Sequence, residues 1–292
     1  MGLDIQIKIV GNSGCVVELI QRDARVIVAK RATSAAYNHR LQLQINKQIH
    51  CRNANRLAFV RIPEVISLKE TDGAVLALME YLTFQDSLDF FSVASKDLID
   101  SVASKVFAYI DKSVEKSVIL EVPVQVIQSK VMAIRDQLTL QQKLPVFSAQ
   151  IERGIHYLEQ LEKLVLPIGD CHGDLTFSNI MIAADASQIG LFDFLDSFVD
   201  SPIIDIAKLR QDTRFFWTAQ YESDPVREIR FIQVMKYFDR LLKIHFESID
   251  WFQETIELFC FITLLRIAPY SHSNLQDRFL LQSLRSIRFK ND

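Results

Sequence analysis

The chain has 292 residues, of which 49% are hydrophobic and 24% are charged, proportions that are ordinary for a globular protein. Its 33 Lys and Arg against 36 Asp and Glu leave a net charge of −3, which provides no basic surface for nucleic acid or for an anionic membrane. Four Cys without a C-x-x-C pair argue against a zinc site and a disulfide framework, and they fit a reducing compartment.

The sequence is expected to be that of a cytoplasmic protein. Its first residues show neither the basic segment nor the apolar core of a signal peptide. No apolar run approaches the roughly 18 residues of a membrane-spanning helix. Neither nucleic acid nor membrane is therefore expected as a partner, and the oligomeric state is left open.

The N-terminal region is predicted to be rich in strands. Alternating apolar and polar residues predict a first strand, and a turn with Gly11, Ser13 and Gly14 leads into the second. Because the two glycines carry no Cβ, backbone N–H groups of this turn can approach an anion, although such a turn alone is weak evidence. A third strand ends in Val-Ala-Lys at Lys30. The predicted strands here are 5–10, 15–20, 25–30, 59–66 and 73–79.

Beyond about residue 85 the chain is predicted to be mainly helical, because apolar residues recur at three- and four-residue spacing. Ser201 is the expected N-cap of one helix, with Pro202 in its first turn. We attribute the Phe, Leu and Ile stripe of the last helices to core packing. The predicted helices are 34–51, 87–91, 98–110, 122–140, 152–164, 226–247, 250–268 and 274–288.

The segment 172–179 contains the candidate catalytic residues. It reads His-Gly-Asp-Leu-Thr-Phe-Ser-Asn, and Leu-Phe-Asp-Phe follows at 191–194. Apolar runs at 180–182 and 189–192 are predicted as short buried strands beside these blocks. Phosphoryl transfer from a nucleotide needs one carboxylate to accept the proton of the attacking hydroxyl, and an amide and a second carboxylate to hold Mg²⁺. Asp174, Asn179 and Asp193 have the order and spacing of such a site.

With Gly173 where protein kinases usually carry Arg, this motif resembles the aminoglycoside phosphotransferase and choline kinase family, whose members phosphorylate small molecules. The resemblance implies an α+β, bilobal, protein-kinase-like fold with a strand-rich N-lobe at 1–78, a hinge at 79–84 and a helical C-lobe at 85–292. It implies that Asp174 is the catalytic base and that Asn179 and Asp193 are the magnesium ligands, with ATP as phosphoryl donor.

The same resemblance implies further roles in nucleotide binding and in the catalytic loop. Lys30 is expected to reach the α- and β-phosphates, beneath the turn of Gly11, Ser13 and Gly14. The carbonyl of Glu80 and the N–H of Leu82 are expected to hydrogen-bond adenine. Asp205 is expected to brace the catalytic loop, and His172 to be structural.

One feature departs from the kinase pattern. The helix at 34–51 ought to offer a Glu to Lys30, yet no Asp or Glu occurs between Asp23 and Glu64. Gln44 or Gln48 is the candidate acceptor in its place, through a weaker bond than a charged one. This departure leaves room for a second hypothesis, a kinase-like binding protein (pseudokinase) that transfers no phosphate.

The acceptor is expected to be the hydroxyl of a small molecule: a sugar, a sugar derivative or an amino alcohol. Only eleven residues separate Asp193 from Asp205, too few for a protein kinase activation loop. Leu195 stands where those kinases carry Gly, and Thr176 where Ser/Thr kinases carry Lys, which disfavours a protein kinase.

Two interpretations of the residues that bind the acceptor stay open. Three carboxylates could line an acidic pocket for amines or could simply be solvated surface charges. Alternatively, a cluster of cations and rings could clamp an anion and stack on a sugar. The carboxylates are Asp196, Asp200 and Asp212, and the cluster at 208–217 includes Arg210, Arg214, Phe216 and Trp217.

Overall fold

The computed structural model describes residues 4–9, 14–22 and 25–290. Its residues group into two compact units. Unit 1 consists of residues 1–106 and 178–196, and unit 2 of residues 107–177 and 197–292. Helices and strands are mixed throughout, so the predicted α+β class is confirmed.

Unit 1 contains an antiparallel sheet of five strands in the order β1-β2-β3-β6-β5. Helix α1 packs on it, because Leu41 and Ile45 lie on one face of the helix and join Val75, Ala77 and Met79 of β6 in a buried cluster. The predicted helix at 34–51 is thereby confirmed. The elements are β1 (Asp4–Ile9), β2 (Cys15–Arg22), β3 (Arg25–Ala32), α1 (Ala35–Ala54), β5 (Val65–Thr71) and β6 (Ala74–Glu80), with β4 (Val60–Arg61) between α1 and β5.

The prediction of a single strand at 59–66 was wrong. This segment divides at Pro63, which has no N–H to donate to a neighbouring strand, so β4 joins one sheet and β5 another.

The second sheet of unit 1 has the order β4-β11-β10-β7. Asn179 directly precedes one of its strands, and Asp193 closely follows another. Strands β10 and β11 are antiparallel, with Ile180 opposite Leu191, and β11 runs parallel to β4. Both side chains are fully buried, which confirms the short buried strands predicted at 180–182 and 189–192. The further elements of unit 1 are β7 (Gln85–Asp86), α2 (Ser87–Val93), β10 (Ile180–Ile182) and β11 (Ile189–Leu191). Helix α3 (Lys96–Glu115) begins in unit 1, and its residues from 107 onward belong to unit 2.

Unit 2 is built from helices and one two-stranded sheet that the sequence did not predict. Strands β8 (Val118–Pro123) and β9 (Lys163–Ile168) pair antiparallel, so the predicted helix 122–140 was wrong at its start. The predicted helix 152–164 was wrong at both ends, because the observed helix runs from Leu144 to Glu159. The residue before a proline is disfavoured in helical conformation, which explains why the first helix begins only after Pro123. Between the strands lie α4 (Val124–Leu140) and α5 (Leu144–Glu159).

The most deeply buried helix of unit 2 is α6 (Pro202–Thr213), of which every residue is buried. Ser201 caps it by accepting a hydrogen bond from the N–H of Ile203, as predicted, and Pro202 occupies the first turn. It packs against α7 (Pro225–Phe246) and α8 (Asp250–Leu265), and α9 (Asn274–Ser286) follows. Among the described residues, no helix is both long and apolar enough to cross a bilayer.

Candidate active site

In unit 2, the loop after β9 is held at its start by Asp205 of α6. This carboxylate is fully buried, and its two oxygens accept hydrogen bonds from the N–H groups of His172 at 2.7 Å and Gly173 at 2.8 Å. The predicted bracing role of Asp205 is confirmed. His172 is also fully buried, and its Nδ1 accepts from the N–H of Asp174 at 3.2 Å, a contact that fits a structural residue.

The side chain of Asp174 is held by a second residue of α6. The ammonium Nζ of Lys208 lies 2.9 Å from Asp174 Oδ1 and also donates to Gln211 Oε1 at 3.2 Å. Burial alone would raise the pKa of Asp174, but the charge and hydrogen bond of Lys208 outweigh it and hold that pKa below its ordinary value. Burial correspondingly lowers the pKa of Lys208. Asp174 is therefore ionised at neutral pH, the form that a proton acceptor requires.

A third residue of α6, Asp212, holds the end of the loop. Its side chain is fully buried and accepts from the N–H of Phe177 at 2.7 Å. It also accepts from the N–H and the hydroxyl of Thr218 at 3.0 and 2.7 Å. Burial raises the pKa of Asp212 to about 6 despite these donors. Because Asp212 is fully buried, both predictions for it, a pocket-lining carboxylate and a solvated surface charge, were wrong. Asp196 and Asp200 are exposed.

Asp205, Lys208 and Asp212 stand at positions i, i+3 and i+7, and this spacing places them on one face of α6. Together they hold the two ends of the loop and the Asp174 carboxylate. Sequence reasoning found Asp205 and missed the other two as parts of the loop's support. The sequence did contain a signal for this support. Three charged residues stand at helical spacing in a helix whose first turn is apolar, and charged side chains on a buried helix face need partners nearby.

The proposed anion clamp in this region is contradicted for Arg210, whose guanidinium group is buried and paired. Arg210 is only 2% exposed; its Nε lies 3.1 Å from Asp239 of α7 and its Nη1 3.2 Å from Glu257 of α8. Arg214 lies 2.6 Å from the same Glu257. Both guanidinium groups thus join helices of unit 2 to one another. Trp217 has its ring near those of Tyr221 and Phe279, at 5.9 and 6.1 Å between centroids.

In unit 1, Lys30 meets the candidate metal ligand. Its Nζ lies 2.7 Å from Asp193 Oδ1, and it donates to Gln44 Oε1 at 3.4 Å. The replacement of the missing Glu by Gln44 is thereby confirmed. Gln48 instead donates to the carbonyl of Pro63 at 2.9 Å. Lys30 is 3% exposed, so its charge is neutralised inside the unit.

Helix α1 has a second link to the segment after Asp193. The ammonium of Lys47 donates to the carbonyl oxygen of Leu195 at 2.8 Å. Because Gln44 and Lys47 are one turn apart, the same face of α1 contacts Lys30 and the chain just beyond Asp193.

Asn179 and Asp193 lie at the same end of the β10–β11 pair. Asn179 directly precedes β10, and its carbonyl oxygen accepts from the N–H of Phe192 at 3.3 Å, one residue before Asp193. Asp193 has a positive φ of 60°, an uncommon conformation for a residue other than glycine. One carboxylate and one amide are oxygen donors suited to Mg²⁺, which binds through one or two protein groups and completes its shell with water and phosphate. The two residues therefore fit a magnesium site.

Of the predicted phosphate-covering turn, Gly11 and Ser13 lie outside the described residues. Gly14 has a positive φ of 64°, and a Cβ on it would stand 2.1 Å from the ring of Tyr37. Its carbonyl oxygen accepts from the N–H and the hydroxyl of Thr33. Only glycine fits this position, where the start of β2 meets the end of β3.

The two predicted adenine contacts lie at the end of β6. Glu80 is the last residue of that strand, and its side chain pairs with Arg61 at 2.7 Å and accepts from the N–H of Glu64. Leu82 is buried against Gly190 of β11, where an added Cβ would come within 2.7 Å of the Leu82 methyl. The side chains of both residues are engaged, and only their backbone groups remain as candidates for adenine.

A family model matches part of the chain. Residues 127–230, which include Asp174, Asp205, Lys208 and Asp212, match the phosphotransferase enzyme family (APH). The match confirms the family resemblance inferred from the motif at 172–179. A search of curated proteins found no match.

One solved structure has a similar fold. A protein from Haemophilus somnus 129PT assigned as a fructosamine-3-kinase is similar at a TM-score of 0.56 and 13% identity, over 97% of this chain and 92% of that chain. The predicted protein-kinase-like fold is confirmed. A type I macrolide 2'-phosphotransferase has a TM-score of 0.45 at 14% identity, over 98% and 92% of the two chains. A Plasmodium vivax ethanolamine kinase has 0.44 at 13%, over 99% and 83%.

Proposed function

We propose that the protein is an ATP- and Mg²⁺-dependent phosphotransferase that transfers the γ-phosphoryl group of ATP to a hydroxyl of a small molecule. The observation that carries this proposal is the ionised Asp174, whose loop and carboxylate are held by Asp205, Lys208 and Asp212 within the phosphotransferase-family segment. An immobilised carboxylate is suited to orienting a hydroxyl and accepting its proton during transfer.

Asp174 acts as the base in this proposal. Its carboxylate orients the acceptor hydroxyl, and the proton moves from that hydroxyl to a carboxylate oxygen as the oxygen bonds to the γ-phosphorus. The bond between that phosphorus and the bridging oxygen breaks at the same time, and ADP leaves with the oxygen. Because the pKa of Asp174 lies below its ordinary value, it is a weak base in the ground state, so alignment of the attacking oxygen adds to its role as proton acceptor.

The nucleotide roles fall to residues of unit 1. Asn179 and Asp193 would hold Mg²⁺, which supplies positive charge against the phosphate oxygens when bound. Lys30 would contact the α- and β-phosphates, and the turn of Gly11, Ser13 and Gly14 would cover them. The carbonyl of Glu80 and the N–H of Leu82 would hydrogen-bond adenine.

A small acceptor is supported by the short connection after the metal ligand. Eleven residues lie between Asp193 and Asp205, and helix α6 begins at Pro202 within them. This leaves little chain on which to dock a peptide. We propose a sugar, a sugar derivative or an amino alcohol as acceptor; the fructosamine-3-kinase with the same fold is named for a sugar-derived acceptor.

A pseudokinase is the competing proposal. It is favoured by one observation: the helix partner of Lys30 is the neutral Gln44, and the carboxylate that pairs with Lys30 is that of Asp193. Such a protein would bind nucleotide without acceptor-dependent release of ADP.

The proposal is tested by incubating the purified protein with γ-labelled ATP, Mg²⁺ and a cell extract separated into metabolite and protein fractions. We expect the label to move into a metabolite, and mass spectrometry of that species would identify the acceptor. Label in protein alone would indicate a protein kinase. ATP binding with no label transferred into either fraction would contradict transfer and favour the pseudokinase.

A further inference from the structure

Lys208 is a buried cation whose charge is directed at the candidate base. Its side chain is 9% exposed and that of Asp174 is 23% exposed, with 2.9 Å between Nζ and Oδ1. A buried ammonium is costly unless a carboxylate neutralises it, so this pair is a fixed part of unit 2 and not a chance surface contact.

The other charged side chains of α6 contact neighbouring helices, the backbone of the loop or Thr218, whereas Lys208 contacts the side chain of Asp174. Arg210 is neutralised by Asp239 and Glu257, which belong to α7 and α8. Asp212 accepts its hydrogen bonds from the backbone of Phe177 and from Thr218. The ion-pair partner of Lys208, by contrast, is the residue proposed to meet the acceptor hydroxyl.

The catalytic loop itself lacks a cation at the position where Ser/Thr protein kinases have one. Thr176 occupies that position; it is 3% exposed, and its N–H donates to the carbonyl of Asp174 at 2.8 Å. The hydroxyl of Thr176 carries no charge, whereas Lys208 brings an ammonium from another element to the same aspartate.

We infer that Lys208 is a positioning residue of phosphoryl transfer, which fixes the Asp174 carboxylate and supplies from α6 the cation that the catalytic loop lacks. The inference rests on the proposed function, because it assigns Asp174 the role of base.

The charged groups around the pair determine what removal of Lys208 would do. Asp174 faces Lys208 on α6, His172 on its own loop and Arg266 after α8, and Lys208 in turn faces Asp212 and Arg266. Among the neighbouring groups, Lys208 does most to lower the pKa of Asp174 against the effect of burial. Without it, burial raises the pKa of Asp174 and Arg266 compensates only in part, so the ionised fraction shrinks at mildly acidic pH.

The first readout needs no turnover. Protein labelled with carboxyl-¹³C aspartate is titrated by NMR, and the Asp174 signal is assigned by its loss in Asp174→Asn. We expect Asp174 to titrate at higher pH in Lys208→Met than in the wild type. Lys208→Arg should restore the wild-type value. The matched control is Lys243→Met, which removes a different lysine of unit 2 that pairs with Asp239 at 3.1 Å, and it should leave the titration unchanged.

The second readout is the pH profile of transfer. In Lys208→Met, kcat should fall about 10-fold or more and its acid limb should move to higher pH, while the KM for MgATP changes little. A residue with only a structural role would lower the amount of folded enzyme without moving the acid limb. If circular dichroism shows that Lys208→Met does not fold, Lys208→Gln, which keeps a donor but no charge, replaces it in both readouts.

The outcomes separate this inference from the proposed function. A wild type without transfer overturns the proposed function, and the positioning role with it. A wild type that transfers, together with a neutral Lys208 variant that transfers equally well with an unmoved acid limb, overturns the positioning role alone. An Asp174 titration that is the same in wild type and Lys208→Met overturns the ion pair on which the inference depends.

Discussion

The ammonium of Lys30 lies 2.7 Å from the carboxylate of Asp193, so the proposed phosphate ligand and the proposed magnesium ligand neutralise each other within unit 1. A kinase helix would supply a Glu to this lysine, and α1 supplies Gln44 at 3.4 Å. The pair stabilises a buried lysine that has no helix carboxylate. It also means that Mg²⁺ and Lys30 would compete for Asp193, and this competition can be tested.

Gln44→Glu should strengthen nucleotide binding. A carboxylate at this position gives Lys30 a charged helix partner and releases Asp193 for the metal, so we expect the affinity for MgATP to rise about 5-fold, the equivalent of roughly 1 kcal/mol. Isothermal titration calorimetry measures it. The control is Gln48→Glu, one turn along α1, where the new carboxylate would face the carbonyl of Pro63 and should only destabilise the protein. A weaker affinity in Gln44→Glu would contradict the account.

Asp193→Ala should abolish the dependence of nucleotide binding on Mg²⁺. Loss of this carboxylate leaves Asn179 as the remaining proposed ligand, and a single amide binds Mg²⁺ poorly. The measurement is ATP affinity with and without Mg²⁺. Asp196→Ala removes an exposed carboxylate three residues further along and should behave as the wild type. An unchanged Mg²⁺ effect in Asp193→Ala would rule out the metal role.

Asp205→Asn should weaken both the fold and transfer. Each oxygen of Asp205 accepts from one backbone N–H, and an amide nitrogen in place of either oxygen cannot accept. A buried N–H left without an acceptor costs about 1–3 kcal/mol. Urea denaturation should show a loss of this size, and kcat should fall because the loop before Asp174 is released. Asp250→Asn, at an exposed position, serves as the control. Wild-type stability in Asp205→Asn would refute the brace.

Asp212 should make the protein less stable as the pH rises. Its folded pKa of about 6 exceeds the value of about 3.9 for an unfolded Asp, so the folded state binds more protons between these values. Raising the pH from about 4 to 7 should therefore remove about 2 kcal/mol of unfolding free energy through this group. The check is the pH dependence of the difference between wild type and Asp212→Asn. A difference that is constant with pH would show that Asp212 is not buried as a carboxylate.

The sequence predicted only part of the support of the loop. Asp205 was expected from the family resemblance, but a helical pattern does not show what a buried side chain faces, and so the roles of Lys208 and Asp212 were missed. Gln44 and Gln48 lie on the same face of α1, and only the packing against β3 and β6 decides which of them meets Lys30.

The unpredicted sheet of unit 2 has a similar cause. Strands β8 and β9 are short apolar runs that a periodicity of two or of 3.6 fits almost equally well. Their pairing joins residues 40 to 50 positions apart, from Pro123 with Lys163 to Val118 with Ile168, and no local pattern contains that information.

The most direct test of the account compares MgATP affinity and phosphoryl transfer in the wild type and in Asp174→Asn. The amide keeps the shape of the side chain but accepts no proton, so transfer to the acceptor should fall about 10²-fold or more while the MgATP dissociation constant stays unchanged. Transfer at the wild-type rate in Asp174→Asn would contradict the assignment of Asp174 as the base and, with it, the catalytic arrangement built on α6.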